Sequence, residues 1–135
     1  MSKTAGKSAS TAAPTAVVCD DDPMTRRLLT TMLEKAGYDV LSRVDTAMGA
    51  IQAATISQPD VILLDLVLPN MSGEDAIPAI RAGAPDCTIV VCSAHDASTA
   101  IRNGAVLVVP KGAIAELEKV LSALKVRIQK RADSR

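Results

Sequence analysis

Acidic residues stand at three places where an apolar run of the chain ends, and one of them, Asp45 after the run at 40–44, is read as a helix cap. Asp20, Asp21 and Asp22 follow the run at 16–19, and Asp65 follows the run at 61–64. Two further runs end on a hydroxyl, Ser93, and an ammonium, Lys111. Two carboxylates about 4 Å apart repel by about 4 kcal/mol at an effective dielectric near 20. If the runs are neighbouring strands, gathering Asp20, Asp21 and Asp65 calls for a bound cation. Carboxylates, a carbonyl and waters form a hard-oxygen set suited to Mg²⁺, and Mn²⁺ accepts the same donors. Beside such an ion a carboxylate can take a phosphoryl group, because the ion offsets charge on the transferring oxygens. Lys111 and Ser93 offer donors to the remaining oxygens, and aspartyl phosphate is a known type of covalent intermediate.

The elements needed to position these groups alternate along the chain. Five short apolar runs, 16–19, 40–44, 61–64, 88–92 and 106–109, are continuous rather than alternating, as in strands buried on both faces. Amphipathic patterns lie between them. Met24, Leu28, Met32 and Ala36 recur every fourth residue beside Leu29 and Leu33; Asp22 and Pro23 open this helix and Gly37 closes it. A second helix is expected over 46–57 with Asp45 as its cap. A third is expected over 74–82, capped by Ser72, with Pro78 delaying or bending it. A short fourth covers 97–103. The fifth carries Ile114, Leu117, Leu121, Leu124 and Ile128 on one stripe. Five such units predict an α/β fold: a five-stranded parallel sheet with helices on both faces and right-handed crossovers. Chemistry in such sheets gathers at the carboxyl ends of the strands.

Composition narrows the function. The 135 residues suggest one domain, with 1–14 as a disordered tail, 15–128 folded and 129–135 a basic C-terminal tail. Lys+Arg and Asp+Glu number 15 each, so the formal charge is zero and a nucleic-acid binder is not indicated. Aromatics are 1%, Tyr38 alone, which argues against base-stacking surfaces. Cys19, Cys87 and Cys92 lack Cys-x-x-Cys spacing, so zinc is not indicated, and Cys19 and Cys92 read as small core residues. No signal-peptide pattern and no run of membrane-spanning length is visible, so the expected location is the cytoplasm.

The segments VVCDDDPMTRRLL, VILLDLVLPNMSGED, VVCSAHD and GAVLVVPKG together resemble the receiver domain of two-component response regulators, in the single-domain form of chemotaxis regulators. The likeness runs over about 15–124, with Pro69 and Gly73 at set offsets from Asp65. It implies a flavodoxin-like strand order 2-1-3-4-5. It implies that Asp65 is the phospho-acceptor, that Asp21 binds Mg²⁺ directly and Asp20 directly or through water, and that the Val67 carbonyl is a backbone ligand. Ser93 would hydrogen-bond the phosphoryl group and Lys111 pair with it. His95, the sole histidine, reads first as a solvated loop residue, but the resemblance places it and Val67 beside the phosphoryl group, tuning attack by water. The implied donor is a phosphohistidine on a sensor histidine kinase or phosphotransfer protein. The implied output is a switched contact with an unknown downstream protein. No DNA-binding output domain is expected after the last helix, and no turnover is expected beyond self-phosphorylation and self-dephosphorylation.

Three features depart from the family pattern. Pro110 precedes Lys111 and Gly112 follows it, where the family usually has Lys-Pro; Gly112 can supply unusual dihedrals instead. Val108 stands where an aromatic is common, which puts aromatic-coupled switching in question. The stretch 93–104 is about one helical turn short, which predicts a shortened fourth helix. Two other readings stay open: a phosphorylation-independent binding domain on this scaffold, and an aspartate-nucleophile phosphatase, whose D-x-D-x-T/V pattern residues 20–24 fail at the last position. A receiver cut from a longer regulator is also open.

Overall fold

Residues with branched or small apolar side chains on both faces form strands that only a two-sided core can cover. The computed structural model describes residues 12–93 and 107–133. Its strands are β1 (Thr15–Cys19), β2 (Asp39–Val44), β3 (Val61–Leu64), β4 (Thr88–Ser93) and β5 (Leu107–Pro110). All pair in parallel in the order β2-β1-β3-β4-β5, as the family resemblance implies. β3 lies at the centre and is buried throughout, whereas β2, at one edge, alternates exposed and half-buried positions.

Four helices are described: α1 (Pro23–Lys35), α2 (Ala47–Ser57), α3 (Gly73–Gly83) and α4 (Ile114–Asp133). Alternate strand residues feed two cores. Val17, Cys19, Ile62, Leu64, Ile89 and Val91 pack with the buried faces of α2 and α3. Val18, Leu63, Val90 and Val109 pack with Leu29, Met32 and Leu33 of α1 and Leu117, Leu121, Leu124 and Ile128 of α4. Tyr38 is buried in the second core, and its hydroxyl donates to the Leu121 carbonyl at 2.6 Å. Among the described residues, no helix is long and apolar enough to cross a membrane.

Several expectations need correction. The cap of α2 is Thr46, not Asp45: Thr46 takes extended dihedrals and its Oγ1 accepts from the Gly49 amide at 3.0 Å. Met24 and Leu28 are 81% and 45% exposed, so the buried stripe of α1 is Leu29, Met32 and Leu33. Pro78 neither delays nor ends α3, which begins at Gly73 behind its Ser72 cap. Ala76, Ile77 and Ile80 around it are fully buried, and that packing holds the helix where the missing amide would loosen it. Residues 129–133, expected as tail, continue α4. Pro14, at the end of the expected N-terminal tail, is buried, and its carbonyl accepts from the Asp39 amide at 2.8 Å. The expected short helix at 97–103 and residues 1–11 lie outside the described residues.

The two candidate caps of α2 make opposite predictions. Thr46→Ala should lower stability by about 1 kcal/mol, and Asp45→Ala should change it little, as read from urea midpoints.

Candidate functional site

The carboxyl ends of β1, β3 and β5 converge because β3 pairs with β1 and β4, and β4 with β5. Local hydrogen bonds then aim each side chain. The Asp20 amide donates to the Val44 carbonyl at 3.1 Å and the Asp65 amide to the Cys19 carbonyl at 3.0 Å, which extends the ladder one residue past each strand. The chain next turns sharply. The Asp22 amide donates to Asp20 Oδ1 at 2.9 Å, and the Asp22 carboxylate caps α1 by accepting from the Thr25 amide at 3.0 Å.

Asp20, Asp21 and Asp65 each bring a carboxylate oxygen to one place, all within 4.8 Å of one another. Asp20 is fully buried and Asp65 is 3% exposed, whereas Asp21 opens to solvent. Lys111 spans the two buried acids: its Nζ donates to Asp65 Oδ2 at 3.0 Å and lies 3.2 Å from Asp20 Oδ2. The second contact is an ion pair without hydrogen-bond alignment, so Asp20 Oδ2 is buried with no hydrogen-bond donor among the described residues. A buried carboxylate oxygen held only by a misaligned ammonium, beside two more carboxylates, is a donor set that fits a hard divalent cation.

Burial raises the Asp20 pKa above its ordinary value, and the neighbouring Asp65 charge adds to this; the Asp22 amide and Lys111 act against it. Burial disfavours the Lys111 charge, but the bond to Asp65 and that residue's charge, then Asp20, outweigh burial and raise its pKa. The thiols of Cys19, Cys87 and Cys92 are pushed up to about 12, chiefly by burial, which suits core residues and not nucleophiles.

The loop after Asp65 is built by close backbone approach. The Val67 amide donates to Asp65 Oδ1 at 3.2 Å, and Val67 itself is 54% exposed at the rim. Asn70 turns through a left-handed conformation with φ 72°. The Gly73 amide donates to the Leu66 carbonyl at 2.9 Å, and a Cβ on Gly73 would fall on the Asp65 carbonyl oxygen and 2.8 Å from Leu66 Cα. Gly112 has φ 94° and open space around it, and no cis peptide bond occurs among the described residues. The turn after Lys111 therefore uses a glycine, as its sequence suggests. Ser93 ends β4 in register with Pro110, next to Lys111; its side chain, and His95 entirely, lie outside the described residues.

Arg26 was not among the site residues read from the sequence. Its Nη1 donates to the Asp20 carbonyl at 2.8 Å. The available signal was its place in the first turn of a helix opened by Asp22-Pro23, from which a long side chain leans back toward the strand end.

Two predictions follow from this geometry. Gly73→Ala should destabilise the protein by about 1–3 kcal/mol, read by urea unfolding, since backbone atoms must shift to admit the methyl group. In EDTA, Asp20 holds its proton more tightly folded than unfolded. Stability should therefore rise as pH falls through the folded pKa toward the ordinary value of 3.8, and fall as pH rises. Asp20→Asn, measured across the same pH series, should flatten that dependence.

The model of the response regulator receiver domain matches residues 16–124. The chain is 33% identical over 78 residues to the chemotaxis protein CheY of Thermotoga maritima, covering 58% of this chain and 65% of that protein. It is 37% identical over 86 residues to the transcriptional regulatory protein KdpE of Mycobacterium tuberculosis, covering 64% of this chain and 38% of that one. It therefore spans less than two thirds of the length of these relatives. Among solved structures, the receiver domain of the Pseudomonas aeruginosa sensor histidine kinase PA1611, with a magnesium ion coordinated in its active-site cleft, superposes with a TM-score of 0.74 at 25% identity. That match covers 85% of this chain and 99% of that one. Strand order, acidic rim and family match agree, and the chain belongs to the receiver domains of two-component response regulators.

Proposed function

We propose that Asp65 accepts a phosphoryl group from a phosphohistidine carried by a sensor histidine kinase or phosphotransfer protein, and that the modified rim switches contacts with a downstream protein. The observation that carries this reading is Lys111 Nζ between two buried carboxylates, 3.0 Å from Asp65 and 3.2 Å from Asp20, with one acid oxygen left without a donor. Asp20, Asp21, Asp65 and the Val67 carbonyl would hold Mg²⁺, or Mn²⁺, which when bound offsets charge on the transferring oxygens. The phosphorus–nitrogen bond of the donor breaks as an oxygen–phosphorus bond to the Asp65 carboxylate forms. Water later returns the carboxylate and inorganic phosphate. Lys111 donates to a phosphoryl oxygen, and Ser93, one strand away, donates to another.

Val67 at the rim and His95 after β4 are assigned the tuning of water attack. Beside Lys111 an apolar groove of about 220 Å³, lined by Leu28, Leu29, Met32, Ala113 and Leu117, supports docking of a donor protein. Residues 15–133 are read as one signalling domain in the cytoplasm that acts on its own acyl phosphate and turns over no small substrate. The phosphatase reading loses support because residues 20–24 fail its D-x-D-x-T/V pattern at the last position, whereas the receiver-domain match covers residues 16–124.

Intact mass after incubation with acetyl phosphate and Mg²⁺ tests the assignment. Wild type should gain the mass of one phosphoryl group, and Asp65→Asn or EDTA should abolish the gain. An equal gain by Asp65→Asn would remove Asp65 as acceptor. His95→Ala should change the lifetime of the modified form.

A further inference from the structure

Arg26 reaches the acidic rim through the main chain. As the fourth residue of α1 it lies one turn above the loop 20–22. Its Nη1 donates to the Asp20 carbonyl at 2.8 Å, and its amide donates to the Asp22 carbonyl at 2.9 Å. Its own carbonyl accepts from Thr30 Oγ1 at 2.7 Å, and Thr30 is buried. One residue thus ties both flanks of Asp21 to the helix. Between them the Asp21 carboxylate is exposed and receives no hydrogen bond among the described residues, yet it lies within 4.8 Å of the Asp20 and Asp65 oxygens.

We infer that Arg26 is a positioning residue for the cation site: its hydrogen bond to the Asp20 carbonyl fixes the Asp20–Asp21 peptide so that a free carboxylate and a buried one face the same point. This rests on the reading of the acids as a cation site and adds a residue outside the donor set. The principal influences on the Asp20 carboxyl are burial, the Asp22 amide, Asp65 and Lys111. The hydrogen bond to the Asp20 carbonyl gives Arg26 a backbone route to the site, separate from the effect of its charge. The two effects have opposite signs. Removing a positive charge beside a cation site tightens the cation, whereas releasing a preorganised peptide weakens it.

The test titrates Mg²⁺ alone into the full chain, without a phosphodonor, and follows the amide resonances of Asp21 and Asp22. Arg26→Met should weaken Mg²⁺ binding about tenfold, the scale of one charge-assisted hydrogen bond, and by the same factor at low and high salt. It should also speed amide hydrogen exchange at Asp21 in EDTA. Arg26→Lys, which restores a donor, should fall between. Unchanged or tighter Mg²⁺ binding in Arg26→Met overturns the inference, as does a loss that disappears at high salt. A wild type that shows no saturable Mg²⁺ binding, or an Asp21→Asn variant that binds like wild type, sinks the cation-site reading itself and is distinguishable from either result.

Discussion

Three carboxylates drawn to one point around a single ammonium are the constraint on which this rim depends. Two of the acids are buried, where water cannot screen them. Lys111 offsets part of that repulsion by spanning Asp20 and Asp65, but one Asp20 oxygen still lacks a hydrogen-bond donor. A protein that only needed to fold would gain by replacing such a cluster with apolar side chains. Keeping the charge concentrated at the strand ends makes sense where a cation and a phosphoryl group complete the balance.

The scaffold holds that concentration by hydrogen bonding rather than by packing alone. Each acid lies one residue beyond a strand and continues its ladder, Asp20 to Val44 and Asp65 to Cys19. The backbone leaves each strand through a sharp turn, with the Asp22 amide on the Asp20 carboxylate and the Val67 amide on the Asp65 carboxylate. Amide donors of this kind orient one oxygen of each carboxylate and leave the other pointing toward the shared centre. The same geometry that aims the acids therefore also frees them to act.

Much of this was legible in the chain. Continuous β-branched runs mark strands buried on both faces, and the alternation with helical patterns gives a parallel sheet; Asp20, Asp21, Asp65 and Lys111 come together because every run ends at the same side of it. What failed was local competition. Asp45 and Thr46 are adjacent and both can cap, and the choice depends on which one is extended and faces the Gly49 amide. The spacing of Met24 and Leu28 matches a buried stripe, but α1 presents Leu29 and Leu33 to the sheet and leaves the other two outward. The basic residues after Ile128 read as a tail because charge obscures helical continuity, although cations suit a helix C-terminus. Arg26 escaped notice because its partner is a carbonyl, which carries no side-chain signature.

The two glycines at the rim divide it into unequal halves. Gly73 is required by contact, since any Cβ meets the Asp65 carbonyl and the Leu66 backbone. Gly112 is required by its φ of 94°, with nothing within 4 Å of where a Cβ would stand. The Asp65 side is thus confined by neighbouring main chain, while Lys111 follows an edge strand and precedes an open turn. Its side chain is 33% exposed, against 4% for Asp65. A change of charge at Asp65 therefore meets a rigid carboxylate and an adaptable ammonium. Inward from Lys111 along β5, Val109 is buried in the core with α1 and α4, and Val108 is half-buried against the core on the other face.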